Sequence, residues 1–124
     1  MSERRKDGAA IILPMLTEPI DEAKVLEIVR RLVEAVKPDR IILFGSLARG
    51  DAGPDSDVDL LIVKDSDTPR HQRSIAAYRA LTGLGVPTDI LWRTPAEIED
   101  WSRVPNHVVT RAVREGRVLY EKAP

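Results

Sequence analysis

The chain has no cysteine among its 124 residues. It therefore carries no disulfide, no thiolate nucleophile and no thiolate metal ligand, which fits a reducing cytoplasm. It has two histidines, His71 and His107. Both fall in stretches expected to be helical surface, so no base stands ready to activate a serine as in a hydrolase. No apolar run approaches the roughly 18 residues that a membrane-crossing helix requires. The polar opening Ser2-Glu3-Arg4-Arg5-Lys6-Asp7-Gly8 leads only into Ala9–Leu13, which Pro14 breaks. That is short for the apolar segment of a secretion signal. Internal repeats and low-complexity segments are absent. The net charge of −1 supplies no global basic field, so direct binding to a nucleic-acid backbone is not expected. The expectation is one soluble cytoplasmic domain without a membrane partner: an N-terminal arm over residues 1–20, its first ten residues frayed, followed by a single domain over 21–124.

Locally the charge is uneven. Residues 51–67 hold Asp51, Asp55, Asp57, Asp59, Asp65 and Asp67 against the single cation Lys64. Such a segment repels phosphate unless cations intervene. Around it the hydrophobic spacing sets out the elements. Val25, Ile28, Val29, Leu32, Val33 and Val36 recur at three- and four-residue intervals and predict an amphipathic helix over 21–36, stopped by Pro38. Arg40–Phe44 reads as a strand. Val58–Val63 reads as a second strand, apolar on both faces and so central in a sheet. A helix opens at Pro69 with Thr68 or Asp67 as cap, and Gly83 and Gly85 end it. Val86–Trp92 is a third strand. Thr94-Pro95-Ala96-Glu97 is a capping box for a short helix. Asn106–Glu115 is a further helix closed by Gly116, and Arg117–Tyr120 a last strand at an edge. Ile11–Leu16 is apolar and suits either the domain's own core or a partner surface. The fold class is α/β (α+β), a small mixed β-sheet with helices packed on it.

The chemistry concentrates in Ile41-Ile42-Leu43-Phe44-Gly45-Ser46-Leu47-Ala48-Arg49-Gly50 and, after Ser46 and ten further residues, Asp57-Val58-Asp59. Alternation along a strand turns Asp57 and Asp59 to one face, about 7 Å apart at Cα. Asp89 interrupts another apolar strand, and charges on buried strands are rare unless paired or bound to metal. If the strands are neighbours, three carboxylates converge. That suits two-metal displacement at phosphorus, with Asp57 and Asp59 shared between two Mg²⁺ ions and Asp89 beside the attacking hydroxyl, as metal ligand or as base. Gly45 lets a phosphate approach the backbone, Ser46 offers its N–H and hydroxyl, Arg49 neutralises phosphate charge, and Ser56 steadies the carboxylate loop.

This motif resembles the signature of the DNA polymerase β-like nucleotidyltransferase superfamily, and its fuller form resembles the minimal nucleotidyltransferase branch, over roughly residues 21–95. The resemblance implies the polymerase β-like palm fold. It also implies Mg²⁺ at Asp57 and Asp59, a third carboxylate at Asp89, and nucleotide phosphates at Gly45 and Ser46. The implied reaction moves AMP from ATP to a hydroxyl, with pyrophosphate leaving. Many members of that branch are antitoxins that adenylylate a tyrosine of a HEPN-domain ribonuclease toxin, which would make the toxin a hetero-oligomeric partner here. Leu47 departs from the basic or polar residue common in relatives.

Plainer readings stand beside this one. The aspartates suit a solvated turn. They do not suit an EF-hand, since Leu60 occupies the glycine position. Arg70 and Arg73 read as solvated charges, and Trp92, Trp101, Tyr78 and Tyr120 as packing residues. An inert antitoxin that only binds its partner, and a transferase acting on a small molecule such as an aminoglycoside, are the competing functions. The short chain leaves little to enclose a small acceptor.

Overall fold

The computed structural model describes residues 2–4, 10–12, 22–50, 57–105 and 107–123, the first two stretches as backbone alone. In chain order the elements are β1 (Ser2–Arg4), β2 (Ala10–Ile12), α1 (Glu22–Val36), β3 (Arg40–Phe44), α2 (Gly45–Arg49), β4 (Val58–Val63), α3 (Arg70–Ala80), β5 (Thr88–Arg93), α4 (Pro95–Trp101), α5 (Val108–Glu115) and β6 (Arg117–Glu121). The strands form one sheet in the order β1-β2-β6-β3-β4-β5. Only β4 and β5 run parallel. A parallel pair needs a crossover, and α3 supplies it. The sheet is mixed and carries helices, as the sequence pattern predicts.

Alternation divides the strand residues between two layers. Leu60, Ile62, Ile90 and Trp92 pack with Val25, Ile28, Val29 and Leu32 of α1 and Ala77 of α3. Leu61, Val63 and Ile42 face the other way, against Ala112 of α5, with Ile98 of α4 and Leu91 beside them. The predicted stripe of α1 is the buried one, since Val25, Ile28, Val29 and Leu32 are fully enclosed. Each such aliphatic side chain contributes about 1.5–3 kcal/mol.

Several expectations change. Part of the stretch expected as a frayed arm is sheet: β1 pairs with β2, and β2 pairs with β6. Ile11 and Ile12, in β2, are the described part of the ambiguous run Ile11–Leu16, and residues 13–16 lie outside the described residues. β6 is not at an edge. It lies between β2 and β3, with Leu119 and Tyr120 buried, because the N-terminal ribbon covers its outer side. Pro69 is the cap of α3 rather than its first residue, and neither Thr68 nor Asp67 caps it, as no side chain does. His107 caps α5 by accepting from the Val109 N–H at 3.2 Å, and its ring stacks on Trp101 with centroids 4.0 Å apart. The capping box at Thr94 and Glu97 forms as the sequence indicates.

The outer edge of β5 is sealed by α3. The Tyr78 hydroxyl accepts from the Ile90 N–H at 2.8 Å, and the Ser74 hydroxyl donates to the Ile90 carbonyl at 3.4 Å. Arg73 donates to the Trp92 carbonyl at 3.4 Å. Side chains thus take up backbone groups that an exposed edge strand would offer to another strand.

Candidate active site

The acidic residues gather at the end of the sheet where β3 leaves and β4 and β5 enter. Asp59 is the register partner of Asp89 across the parallel pair, and of Phe44 across the antiparallel pair. Neighbouring strands lie about 4.8 Å apart, so Asp59 and Asp89 stand side by side on one face. Asp57 immediately precedes β4 and is exposed, whereas Asp59 is half-buried. The pKa of Asp59 is raised, first by burial, then by the charges of Asp89 and Asp57, while Arg49 opposes the rise. All four groups therefore share one electrostatic neighbourhood. Ionised together, the three carboxylates repel, and a cation relieves that repulsion.

The turn that faces them is built around Gly45. It has φ of +76°, a left-handed conformation that favours glycine, and it opens the five-residue helix α2. A Cβ at this position would overlap the Asp59 carboxylate. Glycine is thus required by backbone and by space, and the carboxylate lies directly against the turn. Gly50, at φ +80°, closes α2 and returns its N–H to Leu47 and Ser46. Leu47 and Ala48 bury toward the core, Ser46 is half-buried and Arg49 is exposed. Beside the turn lies a cavity of about 190 Å³, lined by Phe44, Gly45, Ala48, Arg49, Val108, Arg111, Ala112 and Glu115.

The structure thus brings together Asp57, Asp59, Asp89, Gly45 and Arg49, with Ser46 next to Gly45 in α2. Ser56 falls outside the described residues. Among the described residues no three acidic or histidine side chains form a ready metal-holding group. In kind, the carboxylate oxygens are the hard donors that magnesium takes.

Two residues at the site escape sequence reasoning. The Tyr78 hydroxyl lies 3.5 Å from Asp89 Oδ1. Because it already accepts from the Ile90 N–H, its own proton is directed to the carboxylate. Tyr78 is 43% exposed and is not the packing residue expected; the only signal was a tyrosine late in a helix followed by an acidic strand. Arg117, at the start of β6, donates from Nε to the Ala48 carbonyl at 2.9 Å and ties down α2. Nothing local marks that link, which joins residues 69 positions apart.

Comparison with known proteins agrees with the geometry. A family model described as nucleotidyltransferase domain matches residues 22–119. A protein of Methanocaldococcus jannaschii named "Putative protein adenylyltransferase" is 41% identical over 59 residues, which are 42% of this chain and 60% of that relative. The chain thus spans less than two thirds of that relative's length. The crystal structure of a mutant toxin–antitoxin pair, MntA–HpeT, has a chain of similar fold, with a TM-score of 0.55 and 19% identity over 83% of this chain and 75% of that one.

Proposed function

The chain belongs to the nucleotidyltransferase domain family, and on that premise we propose that it moves AMP from ATP to the hydroxyl of a protein tyrosine. The acceptor is a tyrosine of a HEPN-type ribonuclease toxin, and the chain acts as that toxin's antitoxin. One observation carries the reading: Asp59 is in register with Asp89 while its carboxylate fills the space above Gly45. Carboxylates and a phosphate-accepting turn are thereby joined in one place. The name of the M. jannaschii relative and the toxin–antitoxin pair of similar fold support the choice of reaction and partner.

The donor set suits magnesium; burial first, then the charges of Asp89 and Asp57, raise the Asp59 pKa, and a divalent cation would relieve the repulsion among these charges. Asp57 and Asp59 would hold two ions, with Asp89 beside the acceptor. Magnesium bound there would acidify a coordinated hydroxyl and neutralise phosphate oxygens. The Gly45–Ser46 turn receives the outer phosphates through its N–H groups and the Ser46 hydroxyl. Arg49 balances their charge. A carboxylate oxygen of Asp89 takes the proton of the acceptor hydroxyl as the hydroxyl oxygen attacks the α-phosphorus of ATP. The bond to pyrophosphate then breaks, and pyrophosphate departs. Tyr78 orients Asp89 for this task.

The test is purified chain with α-labelled ATP, Mg²⁺ and the protein encoded beside it, with Asp57→Asn in parallel. Label on a tyrosine of the partner and pyrophosphate release, both confined to the wild type, are expected. Partner inhibition without label would replace the transferase by an inert binder.

A further inference from the structure

The opposite end of β5 carries a cluster that the transferase reading does not use. Arg93 closes the strand on the face that bears Asp89, about 13 Å farther along at 3.3 Å per residue. Arg70 and Arg73, from the first turn of α3, meet it there. Glu97 of α4 pairs with Arg73 Nη1 at 2.5 Å and with Arg70 Nη2 at 3.3 Å. Among the described residues, three guanidinium groups against one carboxylate leave two positive charges uncompensated, in a chain whose net charge is −1.

The three arginines are not equally satisfied. Arg73 is almost enclosed, its side chain 9% exposed, and it donates to the Thr68 carbonyl, the Trp92 carbonyl and Glu97. Arg93 donates from Nη1 to the Trp92 carbonyl at 3.0 Å. Its Nε is buried with no acceptor among the described residues, and no carboxylate pairs with it there. Burial, then the neighbouring Arg70 and Arg73, pull its pKa below the usual guanidinium value, with Glu97 opposing. A charged donor left without an acceptor in such surroundings is unfavourable unless an anion completes it. The eleven-residue helix α3 adds to this, because it opens here with neither a side-chain cap nor an acidic residue in its first turn. Between these groups lies an open cavity of about 640 Å³, bordered by Arg70, His71, Arg73, Ser74, Arg93 and Glu97.

We propose that this cavity binds a phosphate dianion, free or as a monoester, held chiefly by Arg93 and Arg70. Two uncompensated charges match a dianion, whereas one carboxylate would leave half of the excess. The planar donor fork of arginine fits phosphate oxygens two at a time. Glu97 holds Arg73 and reaches Arg70 only through Nη2, which leaves Arg93 and the remaining donors of Arg70 to the ligand. The cavity shares no residue with the Gly45–Ser46 turn, so it stands whether or not the chain transfers AMP.

The test is calorimetric titration of the whole chain in EDTA, at constant ionic strength set with chloride. The probes are inorganic phosphate, pyrophosphate and glycerol phosphate. Saturable binding of at least one is expected. Tightest binding by glycerol phosphate identifies a monoester, and tightest binding by the inorganic anions identifies a free ligand. Arg70→Gln and Arg93→Gln are each expected to weaken it about tenfold, the value of one charged hydrogen bond. Arg49→Ala, which alters only the nucleotide turn, is expected to leave it unchanged. Arg70 is half-exposed, so its variant decides the matter if Arg93→Gln does not fold. Absence of binding above the chloride background overturns the proposal. So does binding that survives loss of Arg70, or that disappears with Arg49 instead.

Discussion

The carboxylate of Asp59 occupies the volume that a side chain at Gly45 would need. The two residues are one positional neighbour away from direct pairing, since Asp59 is in register with Phe44. The acidic strand and the Gly45 turn are therefore fitted closely to each other.

Replacement of Gly45 tests this. Gly45→Ala places a Cβ against Asp59 and forces alanine into a left-handed conformation. A loss of about 2 kcal/mol or more is expected, together with loss of pyrophosphate release. Gly50→Ala has the same backbone sign but nothing within 4 Å of the added carbon. It should cost only about 1 kcal/mol. Thermal melting of both variants gives the comparison, at about 3–6 °C per kcal/mol for a chain of this size.

Asp59 makes stability depend on pH and, under the proposed function, on divalent cations as well. Its folded-state pKa lies above the ordinary 3.8. Its contribution is thus favourable below the usual carboxylate range and is lost as pH rises through the raised value. At neutral pH the metal-free protein should gain stability from Asp59→Asn. Manganese or magnesium should raise the melting temperature of the wild type at neutral pH and leave that of Asp59→Asn nearly unchanged. Equal shifts in both would remove Asp59 from the cation site.

Tyr78→Phe removes the hydroxyl that links the Ile90 N–H to Asp89. The freed N–H belongs to Ile90, which is 4% exposed, so a loss of about 1–3 kcal/mol is expected with the fold retained. Pyrophosphate release should fall about tenfold, as expected for loss of an orienting hydrogen bond. The manganese concentration needed for half the thermal shift should rise as well. A merely structural tyrosine would move the melting temperature and leave the cation requirement alone.

Glu97 sets the acid limit. Although burial alone would raise it, the Arg73 and Arg70 guanidinium groups and the Thr94 N–H hold its pKa down to about 2. Its contribution is complete above about 4.5 and is lost as pH falls toward 2. Urea melts of wild type and Glu97→Gln should differ most at neutral pH and converge near pH 2. A difference that stays constant across that window would assign the stabilisation to packing.

Much of the site is legible in the residues themselves. Alternation puts Asp59 beside Asp89 across the parallel pair, with Asp57 just before β4, and Asp89 stands out as a charge in an apolar strand. Gly45 is marked by its place at the end of a strand and ahead of a short helix. What escapes detection depends on sheet order and long-range approach. Nothing in the Arg117–Tyr120 pattern tells an edge strand from one covered by an N-terminal ribbon. Arg73 looks like a solvated charge in its helix, yet Thr68, Trp92 and Glu97 enclose it. Tyr78 declares its role only when β5 lies beside α3, and Arg117 only when β6 reaches α2. Periodicity fixes faces, and it is silent about which faces meet.

With β5 plugged along its flank by Ser74, Tyr78 and Arg73, lateral growth of the sheet is one-sided. A visiting strand finds no vacant backbone at Ile90, so a client protein must approach this border through side chains rather than by lending a strand. The opposite border belongs to β1. Among the described residues that border is the one with no further strand beside it, so strand-wise association of copies would begin there.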